Sequence, residues 1–130
     1  MIKWFRKNIN FLIYGNININ KLNNTSNVKY LNDDNFSETI KNNQLVLVDV
    51  FAKWCGPCRT ISPIIDELSN EFDNNVIISK VDADESRNTV TELGVRSIPA
   101  IFLYKNGEIV DRSTGMTSKE NLKQMIEKHL

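Results

Sequence analysis

The chain is poor in the residues that hold metals and staple small scaffolds. Among 130 residues there are two cysteines and one histidine. Two cysteines cannot cross-link a disulfide-built scaffold. With a single histidine they cannot supply the four ligands of a structural zinc site either. Net charge is also absent, with 16 basic against 16 acidic side chains. That balance offers no basic field to nucleic acid and no acidic tail. No apolar run approaches the roughly 20 residues that cross a bilayer. The stretch Phe11-Leu12-Ile13-Tyr14 is too short for a secretory core, and Asn16, Asn18 and Asn20 break up the residues after it. The histidine, His129, is penultimate and falls in the last turn of an expected helix. A solvated cation is favoured there, so it receives no catalytic role.

Acidic residues are missing from one region altogether. Residues 1–28 hold Lys3, Arg6, Lys7 and Lys21 and no acid, which leaves 12 basic against 16 acidic residues in the remainder. Ile2, Phe5, Ile9, Leu12 and Ile13 recur there at helical spacing between the basic residues. That is the amphipathic pattern of an organellar transit peptide, although serine is scarce. Residues 1–28 are therefore expected to form an N-terminal extension addressing a mitochondrion or another organelle. The competing reading is a low-complexity extension with no address, on a cytoplasmic protein. Residues 29–130 are expected to form one domain.

From Val28 onward the pattern is regular. Val28 to Leu31 reads as a short strand, and Asn32 or Asp33 as the cap of a helix reaching about Lys41. Leu45 to Phe51 is apolar on both faces apart from Asp49, which predicts a central strand covered on both sides. A helix is expected from about Pro57 to Phe72, with Pro57 suited to its first turn and Pro63 expected to kink it. Val76 to Val81 is a strand. Ser86 to Leu93 is a helix stopped by Gly94. Asn106-Gly107 sits between two apolar runs as a type I′ hairpin turn. Thr117-Ser118-Lys119-Glu120 reads as a capping box opening the last helix. The order β-α-β-α-β-α-β-β-α predicts an α/β fold: a central mixed sheet flanked by helices.

What the chain does have is Trp54-Cys55-Gly56-Pro57-Cys58, which places both cysteines between an expected strand and an expected helix. Cys55 sits at the mouth of that helix, where free amides and the positive dipole end favour a thiolate. Cys58, three positions on, shares its face. Cys55 is thus the expected nucleophile and Cys58 the resolving thiol of a disulfide exchange; two inert structural cysteines are the bland alternative. Gly56 and Pro57 tune the pair without adding charge or a titrating proton. A histidine there would favour an oxidant, and its absence favours a reductant.

Asp49 precedes Cys55 by six positions on a buried strand. Burial should raise its pKa and fit it to accept the Cys58 proton; a purely structural pairing with Lys80 is the alternative, and the two are compatible. Ile98-Pro99 marks an edge or bend: a cis bond there would leave the Ile98 backbone open to an extended substrate, and an ordinary trans strand start is the bland alternative, between which spacing alone does not decide. Trp54 is a candidate lid, and Gly115 a candidate for leaving room beside Pro99.

The segment Val48-Asp49-Val50-Phe51-Ala52-Lys53-Trp54-Cys55-Gly56-Pro57-Cys58 resembles the active-site segment of the thioredoxins. The resemblance continues through Ser62-Pro63, Lys80-Val81-Asp82, Gly94-Val95-Arg96-Ser97-Ile98-Pro99, Lys105-Asn106-Gly107-Glu108 and Thr114-Gly115, and spans roughly residues 29–130. Arg59 stands where lysine is common in the family, and Phe51 where tryptophan is. The resemblance implies the thioredoxin fold, with four helices and a cis-proline at Pro99 facing the dithiol. It makes Cys55 the nucleophile, Cys58 the resolving thiol, Asp49 and Lys80 a buried pair, and Trp54, Ile98, Pro99 and Gly115 the substrate-binding surface. It further implies a monomeric protein-disulfide reductase with no bound cofactor. A thioredoxin reductase would recycle it, with NADPH the distant electron source, and peroxiredoxins would be among its clients. Two rivals stand beside it: a disulfide isomerase or oxidase on the same fold, and a non-catalytic subunit of a larger assembly.

Overall fold

The computed structural model describes residues 26–72 and 74–130. Residues 1–25, and with them nearly all of the expected extension, lie outside the described residues. Among the described residues nine elements run in the order β1 (Lys29–Leu31), α1 (Phe36–Asn42), β2 (Leu45–Phe51), α2 (Gly56–Phe72), β3 (Ile77–Asp82), α3 (Arg87–Leu93), β4 (Ala100–Lys105), β5 (Glu108–Thr114) and α4 (Lys119–Glu127). The five strands form one mixed sheet in the order β1-β3-β2-β4-β5. β1 and β2 run parallel to β3, while β4 is antiparallel to β2 and β5.

Alternation along β2 divides the core in two. Leu45 and Leu47 point to one face, where Ile61, Ile65 and Leu68 of α2 and Leu122 and Ile126 of α4 cover them. Val46, Val48 and Val50 point to the other, beneath Ile40 of α1 and Val90 and Leu93 of α3. Lys119 pairs with Glu67 at 3.0 Å and with Glu71, and Lys123 reaches Glu71 at 3.4 Å, joining α4 to α2 across the surface.

Local signals decide several boundaries. Gly94 ends α3 with φ 69°, and Asn106 (φ 53°) and Gly107 (φ 87°) make the left-handed pair a type I′ turn requires. The helix α2 is continuous through Pro63. Asn27 donates its backbone N–H to Ser69 Oγ at 3.0 Å, and Val28 packs on the α2 core. Both residues therefore contact the domain, although charge grouping assigns them to the leading segment.

Two expected caps are corrected. Asn32 does not start α1. Its Oδ1 accepts the amides of Asp34 (2.9 Å) and Asn35 (3.1 Å), which closes a turn and delays the helix to Phe36. Asp33 caps α3 instead, accepting from Thr89 N at 2.8 Å. The cap of α4 is Ser118, whose hydroxyl accepts from Asn121 N at 3.1 Å. The cap therefore lies one residue later than Thr117, and the amide it accepts is that of Asn121, not Glu120.

Candidate active site

The strand β2 ends at Phe51 and the chain turns through Ala52, whose carbonyl accepts Cys55 N at 3.1 Å. α2 begins at the next residue. Cys55 and Cys58 form a disulfide with Cα atoms 5.2 Å apart. The Cys58 backbone N–H donates to Cys55 Sγ at 3.2 Å, so an amide of the first helical turn is aimed at the leading sulfur. An amide so placed sets a partial positive charge against Cys55 Sγ, the arrangement that favours a thiolate when the bond is reduced. Cys55 and Cys58 are 5% and 3% exposed, packed with Ala52 against Phe51 and Ile98.

The loops around the pair are pinned. Ala83 N donates to Phe51 O at 2.8 Å, and Arg59 Nη1 to Lys53 O at 2.9 Å. Trp54 is 69% exposed, and its Nε1 donates to Asp84 Oδ2 at 3.0 Å. It is thus an anchored surface plate beside the sulfurs, with most of its ring in solvent.

The bond between Ile98 and Pro99 is cis. Ile98 O lies 4.0 Å from Cys55 Sγ, and Ile98 makes no backbone–backbone hydrogen bond among the described residues. Gly115, with φ 86°, donates its N–H to Pro99 O at 2.8 Å. A Cβ at Gly115 would meet no atom within 4 Å, so backbone conformation, and not crowding against Pro99, calls for glycine there.

Asp49 is 1% exposed, and its Oδ1 has no hydrogen-bond partner. Burial pushes its carboxyl up to about 7, with the Lys80 charge opposing that rise. In the β2–β3 register Asp49 lies opposite Lys80. The two form no direct ion pair, however: the Lys80 ammonium donates to Ser62 Oγ. Lys80 Nζ also lies over the rings of Phe51 and Tyr30, at 5.4 and 6.0 Å. Ser62 is one turn beyond Cys58 on α2, so the face carrying Cys58 rests on the sheet at the level of Asp49 and Lys80.

The geometry thus brings the cysteines together with Ile98, and Asp49 together with Lys80. Ser62 and the two rings around Lys80 complete the second group. Sequence reasoning assigns them no role, because their signal is a meeting of three separate elements.

The family model for thioredoxin matches residues 27–128. The chain belongs to the thioredoxin family. A thioredoxin of Staphylococcus saprophyticus is 44% identical over 98 residues, covering 75% of this chain and 93% of that protein. The chloroplastic M-type thioredoxin of Pisum sativum is 43% identical over 104 residues, covering 79% of this chain and 60% of that protein. A solved structure of Plasmodium falciparum thioredoxin superposes with a TM-score of 0.73 at 38% identity, covering 79% of this chain and all of that one. The fold is the thioredoxin fold, a mixed five-stranded sheet with four flanking helices. As a member of this thioredoxin family, the protein is an oxidoreductase acting by thiol–disulfide exchange through its cysteine pair.

Proposed function

We propose that Cys55 opens a client disulfide and that Cys58, assisted by Asp49, releases the product. The Cys55 thiolate attacks one client sulfur, a mixed disulfide forms, and the other client sulfur leaves as a thiolate that takes a proton. Cys58 then loses its proton to Asp49 and attacks Cys55 Sγ. The Cys55–Cys58 disulfide forms, the second client sulfur departs as a thiolate that takes a proton, and two electrons have passed to the client. Lys80 acts on Asp49 through its charge, and Gly56 and Pro57 keep the tuning dipeptide free of titrating groups. Ile98, Pro99, Gly115 and the plate of Trp54 form the client surface, where the unpaired Ile98 backbone accepts an extended segment.

A thioredoxin reductase returns the pair to the dithiol, with NADPH as distant donor. Peroxiredoxins are among the clients, and the chain works as a monomer. Residues 1–28 carry an organellar address; the chloroplastic relative supports this reading, and a reporter fused to residues 1–28 that stays in the cytosol would overturn it.

The observation that carries the mechanism is the Cys58 amide directed at Cys55 Sγ at the start of α2. The test is single-turnover reduction of a protein disulfide. Cys55→Ser should abolish it, and Cys58→Ser should accumulate the client as a mixed disulfide on non-reducing gels. A Cys58→Ser protein that traps nothing would refute the order of attack. A reduction potential near about −270 mV fits a reductase, whereas one near about −180 mV would favour the isomerase.

A further inference from the structure

Buried charges are ordinarily paired with opposite charges. Lys80 departs from this, being 4% exposed with its ammonium bonded to a neutral hydroxyl and flanked by two aromatic rings. Its register partner across β2–β3 is Asp49, an acid whose Oδ1 is buried without a partner. An ammonium has three donors, and attraction between opposite charges is strong at low dielectric. Something must hold the pair apart, and the polar side chain bonded to the Lys80 ammonium is Ser62.

We propose that Ser62 is a positioning residue: its hydroxyl tethers the Lys80 ammonium beside the Asp49 carboxyl and not on it, which leaves Oδ1 of that carboxyl unpaired for the Cys58 proton. The functional part of this rests on Asp49 being the proton acceptor of the proposed mechanism. Ser62 is well placed for the task. It is on α2, on the face of Cys58, so the helix that carries the resolving thiol also sets the position of the cation. The rings of Tyr30 and Phe51, edge to face at 6.5 Å, close the other side of the ammonium without supplying an anion.

The groups facing Asp49 are few. β3 contributes Lys80 and β1 contributes Tyr30, whose phenol is pushed up by burial and by the charges of Asp66 and Asp49. α2 contributes Asp66, four residues beyond Ser62, whose charge acts on Tyr30; the cysteine pair of the same helix does not titrate while joined. The β4 register partner, Ile101, is uncharged.

The test is a carbon-13 NMR titration of the Asp49 carboxyl in the oxidised full-length protein, wild type against Ser62→Ala and Ser62→Thr. Alanine is favourable within a helix, so the fold should persist. With the hydroxyl gone, the ammonium closes on the carboxylate and the Asp49 midpoint falls by about one unit or more. Threonine, which keeps the hydroxyl, holds the midpoint near wild type. In a Lys80→Met background the Ser62→Ala change should move nothing further, because the tether acts only through the ammonium. An Ala variant with an unchanged or raised midpoint, or a fall that persists without Lys80, overturns the proposal. The pH profile of mixed-disulfide resolution separates the tether from the proton path. If Ser62→Ala moves the Asp49 titration but leaves that profile in place, the tether stands and Asp49 leaves the proton path.

Discussion

Two aspartates in this protein are treated in opposite ways. Asp33, in the turn between β1 and α1, is exposed and richly bonded. Its Oδ1 accepts from Thr89 N and Thr89 Oγ1 at 2.8 and 2.7 Å, and its Oδ2 from Asn88 N at 3.4 Å. Asp49, at the centre of the sheet, is buried with an oxygen that bonds to nothing. Hydrogen bonds from Thr89 lower the Asp33 carboxyl below its usual range, whereas desolvation raises Asp49 to about 7. The first region uses a carboxylate to fasten one helix to a distant turn. The second leaves one carboxyl oxygen without a partner, at a cost in stability, and on the mechanism proposed above that carboxyl takes the Cys58 proton.

The sharpest way to break this comparison is stability against pH in the oxidised protein, where thiols do not titrate. Asp49 has a folded-state pKa of about 7 against an ordinary 3.8, so the folded protein holds this proton more tightly than the unfolded chain. Its contribution is fully present below about pH 4 and is lost as pH rises through about 7. At about 1.4 kcal/mol per unit the loss is on the order of 4 kcal/mol. Asp49→Asn removes the titration. In urea unfolding the variant should therefore gain on wild type by that order between pH 4 and pH 9. Parallel stability curves would mean that Asp49 is not the strained group described here.

The second prediction concerns rate. If the strain serves chemistry, Asp49→Asn should slow release of the mixed disulfide by about 100-fold near pH 7, the lower range for loss of a general base. Attack by Cys55 should be nearly unaffected. Stopped-flow traces in which both phases slow equally would place Asp49 outside the proton path.

How much of this was legible in sequence depended on distance along the chain. Leu45–Phe51, the stop at Gly94 and the Asn106-Gly107 turn rest on neighbouring residues, and each was readable from propensity and periodicity. So was the placement of Cys55 before a helix, because strand, motif and helix are contiguous. Asp33 was readable as a capping residue but not as the cap of α3, whose amides lie 55 and 56 positions away. The alternation of β3 suggested that Lys80 points inward. That its ammonium would choose Ser62 over Asp49 depends on how α2 lies across the sheet, which no local pattern encodes. The shift of the α4 cap from Thr117 to Ser118 is a one-residue choice between adjacent hydroxyls, and first-turn geometry decides it.

The smallest expected effect tests the other side of the comparison. Ser86 is the N-cap residue of α3, yet its side chain makes no capping bond and its Oγ is buried without a partner. Asp33 supplies the cap from outside, placing an anion on the amides of Asn88 and Thr89 at the helix start. Asp33→Ala should therefore lower Tm at neutral pH by a few degrees, roughly the shift a lost cap causes in a domain of this size. The sign with pH is opposite to that of Asp49. A depressed carboxyl contributes above its ordinary pKa of 3.8 and loses that contribution as pH falls below it, so wild type and Asp33→Ala should converge in acid. If Ser86→Ala, and not Asp33→Ala, proves the damaging change in thermal unfolding, the cap of α3 is local. The carboxylate of the β1–α1 turn would then be an ornament of the surface.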